Sequence, residues 1–110
     1  MSYSVFITST FQKEFKSLSK KYLSAKSDLA ELIDAIKMSP RFGVPLGKDC
    51  YKVRMAISSK GKGKSGGVRV ITCVKIVQNT VFMLSVYDKS DKETVDDNEL
   101  SILLEAAGLL

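Results

Sequence analysis

The spacing of apolar residues changes from helical to alternating near the middle of this chain, and that change limits the folds it can adopt. Before Pro40, apolar residues recur at helical spacing in two separate stripes. From Tyr51 to Ser58 they alternate with polar residues, as in a strand with one buried face, and two β-branched runs follow. Because helices and strands are segregated along the sequence, the pattern predicts an α+β domain with two helices packed on one face of a mainly antiparallel sheet.

The two helices are predicted to form a hairpin. A short alternating run at residues 3–8 predicts a first strand, and Ser9 and Gln12 fit a capping box that starts the first helix. The pattern breaks at residues 24–27, and Pro40 ends the second helix because the residue before a proline is disfavoured in helical geometry. The stripes, whose expected role is core packing, comprise Phe11, Phe15, Leu18 and Tyr22, then Leu29, Leu32, Ile33 and Ile36.

Three further strands and a final helix are predicted after a loop at residues 41–49, which is rich in glycine and proline. The predicted strands are residues 51–58, 68–77 and 81–87. A capping box of Asp96 and Glu99, with Gly108 near the other end, predicts a C-terminal helix. The predicted order is β-α-α-β-β-β-α. A length of 110 residues with 45% hydrophobic composition suffices for one domain, residues 1–110.

Positive charge is concentrated in the middle of the chain. Residues 50–87 carry seven basic and no acidic side chains, whereas residues 88–110 carry two basic and seven acidic ones. The glycine- and lysine-rich turn in this region suits contact with a polyanion as well as it suits a solvated loop. It does not match a nucleotide-binding P-loop, because Ser58 replaces the first glycine and a strand follows. The candidate RNA-binding lysines of this turn are Lys60, Lys62 and Lys64.

Arg69 stands within an otherwise apolar strand, where an arginine is costly to bury unless it meets an anion or opens onto a cleft. Two interpretations are open. In the first interpretation, Arg69 pairs with a carboxylate of the C-terminal segment, such as Asp88 or Asp91. Alternatively, it clamps a phosphate, joined by Lys52 and Arg54 if the hairpin brings the neighbouring strands into register.

Several kinds of site are excluded by composition. The chain has no histidine, which removes Ser-His-Asp and Cys-His catalysis and the HExxH metal site. Cys50 and Cys73, the only cysteines, cannot complete a zinc site and are expected to be reduced, partly buried thiols. No apolar run is long enough to span a membrane and no signal peptide is evident, so we expect a cytoplasmic protein without membrane partner, metal or other cofactor.

Four segments carry a family resemblance: residues 49–54, 60–67, 68–71 and 81–89. Together with the preceding helix pair, they resemble the RelE superfamily of toxins, in particular its HigB-like branch. The resemblance covers nearly the whole chain and implies a single RelE-like toxin domain.

The resemblance implies the toxin of a type II toxin–antitoxin pair. Such a toxin enters the A site of the 30S ribosomal subunit and cleaves translated mRNA as a metal-independent endoribonuclease. Its other partner is a DNA-binding antitoxin, encoded beside it, that neutralises the toxin by wrapping its basic surface. The catalytic residues implied are Lys52, Arg54, Arg69 and Lys89, with the arginines stabilising phosphorane charge and the lysines orienting the phosphate or exchanging protons.

One expected residue is absent. The best-described members place a tyrosine general base after the last strand, where this chain has Val95. Tyr87, Asp88, Asp91 or a lysine remain open for that role, as does cleavage that relies mostly on orientation of the substrate. Tyr87 is also a candidate either for the rim of the core or for stacking on an unpaired base.

Two other functions compete with mRNA cleavage. A ParE-like toxin shares the fold but inhibits DNA gyrase by binding, which requires no convergent phosphate clamp. A small non-catalytic RNA-binding protein is also compatible with the basic middle segment.

Overall fold

A mixed sheet, with five strands among the described residues, forms the centre of the molecule. The computed structural model describes residues 2–60 and 67–110. The strands are β1 (Ser4–Ile7), β2 (Val44–Gly47), β3 (Cys50–Met55), β4 (Val68–Lys75) and β5 (Thr80–Asp88). They lie in the order β1-β5-β4-β3-β2, with β1 parallel to β5 and all other neighbours antiparallel. The α+β class and the mainly antiparallel sheet are therefore confirmed.

In the part of the chain that the structure describes, three helices cover the two faces of this sheet. They are α1 (Ser9–Lys21), α2 (Ala25–Met38) and α3 (Asp97–Ala106). The α1–α2 hairpin packs on one face and α3 packs on the other, as their separate apolar clusters show. The predicted helix hairpin and C-terminal helix are confirmed, including the capping box of Asp96 and Glu99. Within the described residues, no helix is long and apolar enough to cross a membrane.

The larger apolar cluster lies between the helix hairpin and the sheet. The predicted stripe residues Phe11 and Leu18 are buried in it, and Phe15, Tyr22 and Ile33 pack at its edge. Its other members include Leu29, Leu32 and Ile36 of α2, and Val53, Val70, Val81, Met83 and Val86 of the sheet.

A smaller cluster fills the opposite face under α3. Leu100 and Leu104 of α3, together with Val95, pack against Ile71 and Leu84. The two free cysteines belong to this cluster and face each other across β3 and β4.

The start of α1 differs from the prediction by one residue. Thr8, rather than Ser9, is the N-cap, and its Oγ1 accepts a hydrogen bond from the N–H of Phe11 at 3.2 Å. The Gln12 amide donates to a backbone carbonyl, so the expected box with Ser9 does not form. The Thr8 hydroxyl also donates to the carbonyl of Met83 at 2.8 Å, and this contact with β5 favours Thr8 as the cap.

The predicted loop 41–49 contains the extra strand β2, which adds one strand to the predicted order. Pro45 is tolerated there because β2 lies at the sheet edge, where no second neighbour needs its missing N–H. The predicted strand 51–58 ends earlier, at Met55, and Ser58–Lys60 form one 3₁₀ turn. Similarly, β4 ends at Lys75, before the turn to β5.

Candidate functional site

Three of the candidate residues occupy directly opposed positions on neighbouring strands. Arg54 of β3 lies opposite Arg69 of β4, and Arg69 lies opposite Tyr87 of β5. Their chain neighbours Val53 and Val70 belong to the cluster under the helix hairpin, so alternation directs the three candidates to the α3 face. We call Arg54, Arg69 and Tyr87 the cross-strand row.

The two arginines of the row place like charges side by side. Opposed residues of antiparallel strands have Cβ atoms about 4.5–5.5 Å apart, and like charges at such positions destabilise the sheet. Arg54 is exposed, whereas Arg69 is 3% exposed and donates from Nη1 to the carbonyl of Val68 at 3.3 Å. An anion that contacts both guanidinium groups would relieve their repulsion, and phosphate matches their bidentate geometry.

The two candidate lysines flank the cross-strand row. Lys52 lies two positions before Arg54 on β3 and therefore points to the same face. Lys89 directly follows β5 and is half-buried, and its N–H donates to the carbonyl of Gly67 at 3.4 Å. The sheet register thus places four cationic candidates on or beside three adjacent strands.

Tyr87 is a buried member of the row. Lys92 Nζ lies 4.9 Å from the centre of its ring, so this ring face meets a lysine rather than open solvent. The hydroxyl makes no hydrogen bond of normal geometry within the described part of the chain, although the side chain of Thr94 lies close enough to act on its pKa. Burial raises the pKa of Tyr87, although the nearby charge of Arg69 opposes the shift. The hydroxyl is therefore protonated at neutral pH and is a hydrogen-bond donor rather than a base.

The candidate RNA-binding lysine at the start of the turn is engaged on the helix-hairpin face. Lys60 Nζ lies 3.6 Å from the carboxylate of Asp88 and 5.0 Å from the ring centre of Tyr22. Its side chain is 17% exposed. The other two candidates, Lys62 and Lys64, lie outside the described residues.

Asp88 is a buried carboxylate with several donors. It accepts hydrogen bonds from the Tyr22 hydroxyl and from the N–H and hydroxyl of Ser90 at 3.0 and 2.8 Å, and Lys21 lies 3.6 Å away. Burial acts to raise the pKa of Asp88, but these hydrogen bonds and the charge of Lys60 outweigh it and hold the pKa well below its usual range. Asp88 is consequently a weak proton acceptor, which disfavours it as the general base.

A second buried carboxylate, Asp28 of α2, was not singled out from the sequence as a site residue. It accepts hydrogen bonds from the N–H and hydroxyl of Ser58 at 3.0 and 2.6 Å and from the Ser24 hydroxyl at 2.7 Å. Burial again acts to raise its pKa, and the hydrogen bonds from Ser58 and Ser24 lower it below the usual value. No local pattern reveals this role, because Ser58 is 30 residues away along the chain.

Acid is expected to remove the stabilisation that Asp28 and Asp88 provide. Native contacts lower both pKa values, so their contribution is present above the pKa of an unfolded aspartate, about 4, and is lost as pH falls through the folded value. Urea denaturation at pH 7 and pH 3 measures the free energy of unfolding. We expect a larger loss on acidification in the wild type than in Asp28→Asn or Asp88→Asn. Equal losses of unfolding free energy in the wild type and in both variants would contradict the stabilising role of these two carboxylates.

Comparison with known proteins identifies the family. The family profile described as the RelE toxin of the RelE/RelB toxin–antitoxin system matches residues 4–110. A search among curated protein sequences finds no significant match.

Solved structures with a similar fold include an isolated toxin and a toxin–antitoxin complex. A mutant of the E. coli toxin RelE with two arginines replaced by alanine, in the free state, superimposes with a TM-score of 0.62 and 22% identity over 84% of this chain and 90% of that one. For the isolated E. coli RelE toxin the TM-score is 0.61, with 20% identity over 92% and 96% of the two chains. For the toxin–antitoxin complex RelBE2 from Mycobacterium tuberculosis the values are 0.59 and 21% over 80% and 99%.

The TM-scores establish a shared fold, and the family profile spans nearly the whole chain. The expected RelE-like fold and membership of the RelE superfamily are confirmed, while the finer placement in the HigB-like branch stays a prediction. This chain belongs to the RelE family of toxins from toxin–antitoxin systems.

Proposed function

We propose that this toxin is a ribosome-dependent endoribonuclease that cleaves translated mRNA in the ribosomal A site and thereby inhibits translation. The observation that carries the proposal is the cross-strand row, in which two arginines and a protonated tyrosine meet on one face of the sheet. The seven cationic and no acidic side chains of residues 50–87 give the same region an electrostatic preference for a polyanion.

The chemistry of RNA cleavage matches what the row offers. Attack of a 2′-hydroxyl on the adjacent phosphorus requires removal of the hydroxyl proton, stabilisation of the phosphorane charge and protonation of the leaving 5′-oxygen. In our proposal Arg54 and Arg69 contact the nonbridging oxygens, since guanidinium groups bind phosphate in bidentate fashion. Arg54 is the exposed end of the row and makes the first contact.

Proton transfer is assigned to the remaining candidates. The Tyr87 hydroxyl is protonated, buried and without a hydrogen bond of normal geometry in the described chain, so it suits donation to an oxygen of the reacting phosphate. Lys52 and Lys89, beside the row, orient the phosphate and exchange protons. Substrate reaches Tyr87 once the segment that carries Lys92 moves from its ring.

The proposed partners follow from the charge and from the relatives. The turn lysines Lys62 and Lys64 contact the RNA backbone. A cognate antitoxin covers the basic surface, and a toxin–antitoxin complex among the solved relatives, from Mycobacterium tuberculosis, supports a partner of this kind. The protein acts in the cytoplasm, where translating ribosomes are found.

Primer extension on an mRNA translated in a purified system tests the proposal. We expect the wild-type protein to cut within translated codons, and to leave the same RNA intact when ribosomes are omitted. Adding the cognate antitoxin is expected to stop the cuts. An mRNA that stays intact during translation would overturn the proposal, and DNA supercoiling and RNA-binding measurements would then test the gyrase-inhibitor and RNA-binding alternatives.

A further inference from the structure

Two buried carboxylates anchor the strand end and the 3₁₀ turn beside the proposed site. Asp28 is 7% exposed and Asp88 is 3% exposed. Asp28 holds Ser58, the first residue of the 3₁₀ turn, and Asp88 lies 3.6 Å from Lys60, its last residue. Lys60 immediately precedes residues 61–66, so both contacts fix the point at which the chain enters the lysine-rich segment.

The far end of that segment is anchored by backbone. Gly67 packs so closely on β3 that a Cβ atom there would lie 2.1 Å from the carbonyl oxygen of Met55. The Gly67 carbonyl in turn accepts the N–H of Lys89. Both ends of the segment are therefore held against the strand end that carries Lys89.

Asp88 stands between two residues of the proposed site. Tyr87 points to the α3 face, while the side chain of Asp88 meets Tyr22 and Lys21 at the end of α1 on the opposite face. Fixing Asp88 to α1 consequently fixes the backbone from which Tyr87 and Lys89 project. The Asp88 carboxylate is occupied by these partners, so its role here is to hold the strand end rather than to transfer a proton.

Lys60 completes the anchor. Its ammonium group lies between the carboxylate of Asp88 and the ring of Tyr22, and both contacts restrain a side chain that would otherwise be mobile. A lysine that binds the RNA backbone directly needs its charge open to solvent, whereas this one is largely covered.

We propose that Lys60 and Asp88 form a tether that positions Tyr87 and Lys89 at the end of β5, with Asp28 bracing the 3₁₀ turn that carries Lys60. These are positioning residues for the cleavage reaction, and the inference rests on the proposed function. The tether sets the geometry of the reacting phosphate rather than the affinity for RNA.

A double-mutant cycle of Lys60→Met and Asp88→Asn tests the tether. Single-turnover cleavage of ribosome-bound mRNA gives the maximal rate and the half-saturating toxin concentration for each variant. We expect each single variant to lower the maximal rate by about tenfold with little change in half-saturation, as a small misplacement of catalytic groups does. The double variant should be no slower than either single one, because residues that act through one contact are not additive.

Three controls keep the test specific. Lys60→Arg retains the cation and should recover most of the rate. Lys37→Met removes an exposed lysine at the end of α2 and should leave the rate at the wild-type value. Urea denaturation checks that each variant is folded. If Asp88→Asn unfolds, Lys60→Met still tests the tether, because it leaves the hydrogen bonds from Tyr22 and Ser90 to Asp88 in place.

The outcomes separate the tether from the proposed function. If the wild type does not cleave, the proposed function fails, and the tether with it. If the wild type cleaves but Lys60→Met changes only half-saturation, or if the two effects multiply to about a hundredfold, Lys60 acts independently of Asp88 and the tether is overturned.

Discussion

Replacing Arg69 with methionine is expected to lower the maximal rate of ribosome-dependent cleavage by about 10²- to 10³-fold, as the loss of one preorganised charge-stabilising donor does. Arg69 is the central member of the cross-strand row and the one most fully removed from water, where its charge acts on a phosphate with least screening. Methionine keeps an unbranched apolar side chain within the sheet, so the loss of rate measures the contribution of the guanidinium group.

Three matched variants sharpen this prediction. Arg69→Lys keeps the charge but loses the bidentate geometry, and we expect an intermediate rate. Arg54→Met should reduce the rate less than Arg69→Met, because Arg54 is exposed and its charge is screened by water. Lys37→Met, remote from the row, should cleave like the wild type. A wild-type rate for a folded Arg69→Met protein, with urea unfolding unchanged, would remove Arg69 from the site.

Deleting residues 96–110 is expected to abolish cooperative folding. The deletion removes α3, and with it Leu100 and Leu104, which cover Ile71 and Leu84 on the second face of the sheet. Two buried leucines lost together remove a large share of the stability of a 110-residue domain, since each is worth about 2–5 kcal/mol. Circular dichroism and urea denaturation measure the result.

A pair of single substitutions tests the same point without shortening the chain. Leu100→Ala should lower the free energy of unfolding by about 2–5 kcal/mol because it leaves a cavity under α3. Ile102→Ala, at a side chain that is 60% exposed on the same helix, should change it by less than about 0.5 kcal/mol. Equal effects of the two substitutions, or a truncated protein that unfolds cooperatively, would show that α3 is not part of the core.

Much of the fold was predictable because it depends on local periodicity. Prediction of the helical stripes that include Phe11 and Leu18, and of the alternating strand that became β3, required only the spacing of apolar residues. The Asp96–Glu99 capping box was equally local, since all its donors and acceptors lie within one turn. The family resemblance then placed these elements in a RelE-like arrangement, which the family profile and the solved structures confirm.

The errors occur where a contact distant in sequence decided the local structure. Thr8 replaced Ser9 as the N-cap because its hydroxyl also reaches the carbonyl of Met83 on β5. The strand β2 forms in a segment rich in glycine and proline because it pairs with β3 at an edge that tolerates Pro45. The intrinsic preference of a residue for strand or loop contributes little free energy, and pairing with a distant strand outweighs it.

The residue types of the candidate site and their spacing can be read directly from the amino-acid sequence. Residues 50–87 contain cations and no carboxylates, histidine is absent, and an arginine stands at position 69 inside an apolar strand. The fold was needed to show that Arg54, Arg69 and Tyr87 stand in one row, and that Asp88 is held at the end of α1 on the opposite face. Strand register and face depend on pairing between distant segments, because a shift of one residue would send every side chain of a strand to the other face.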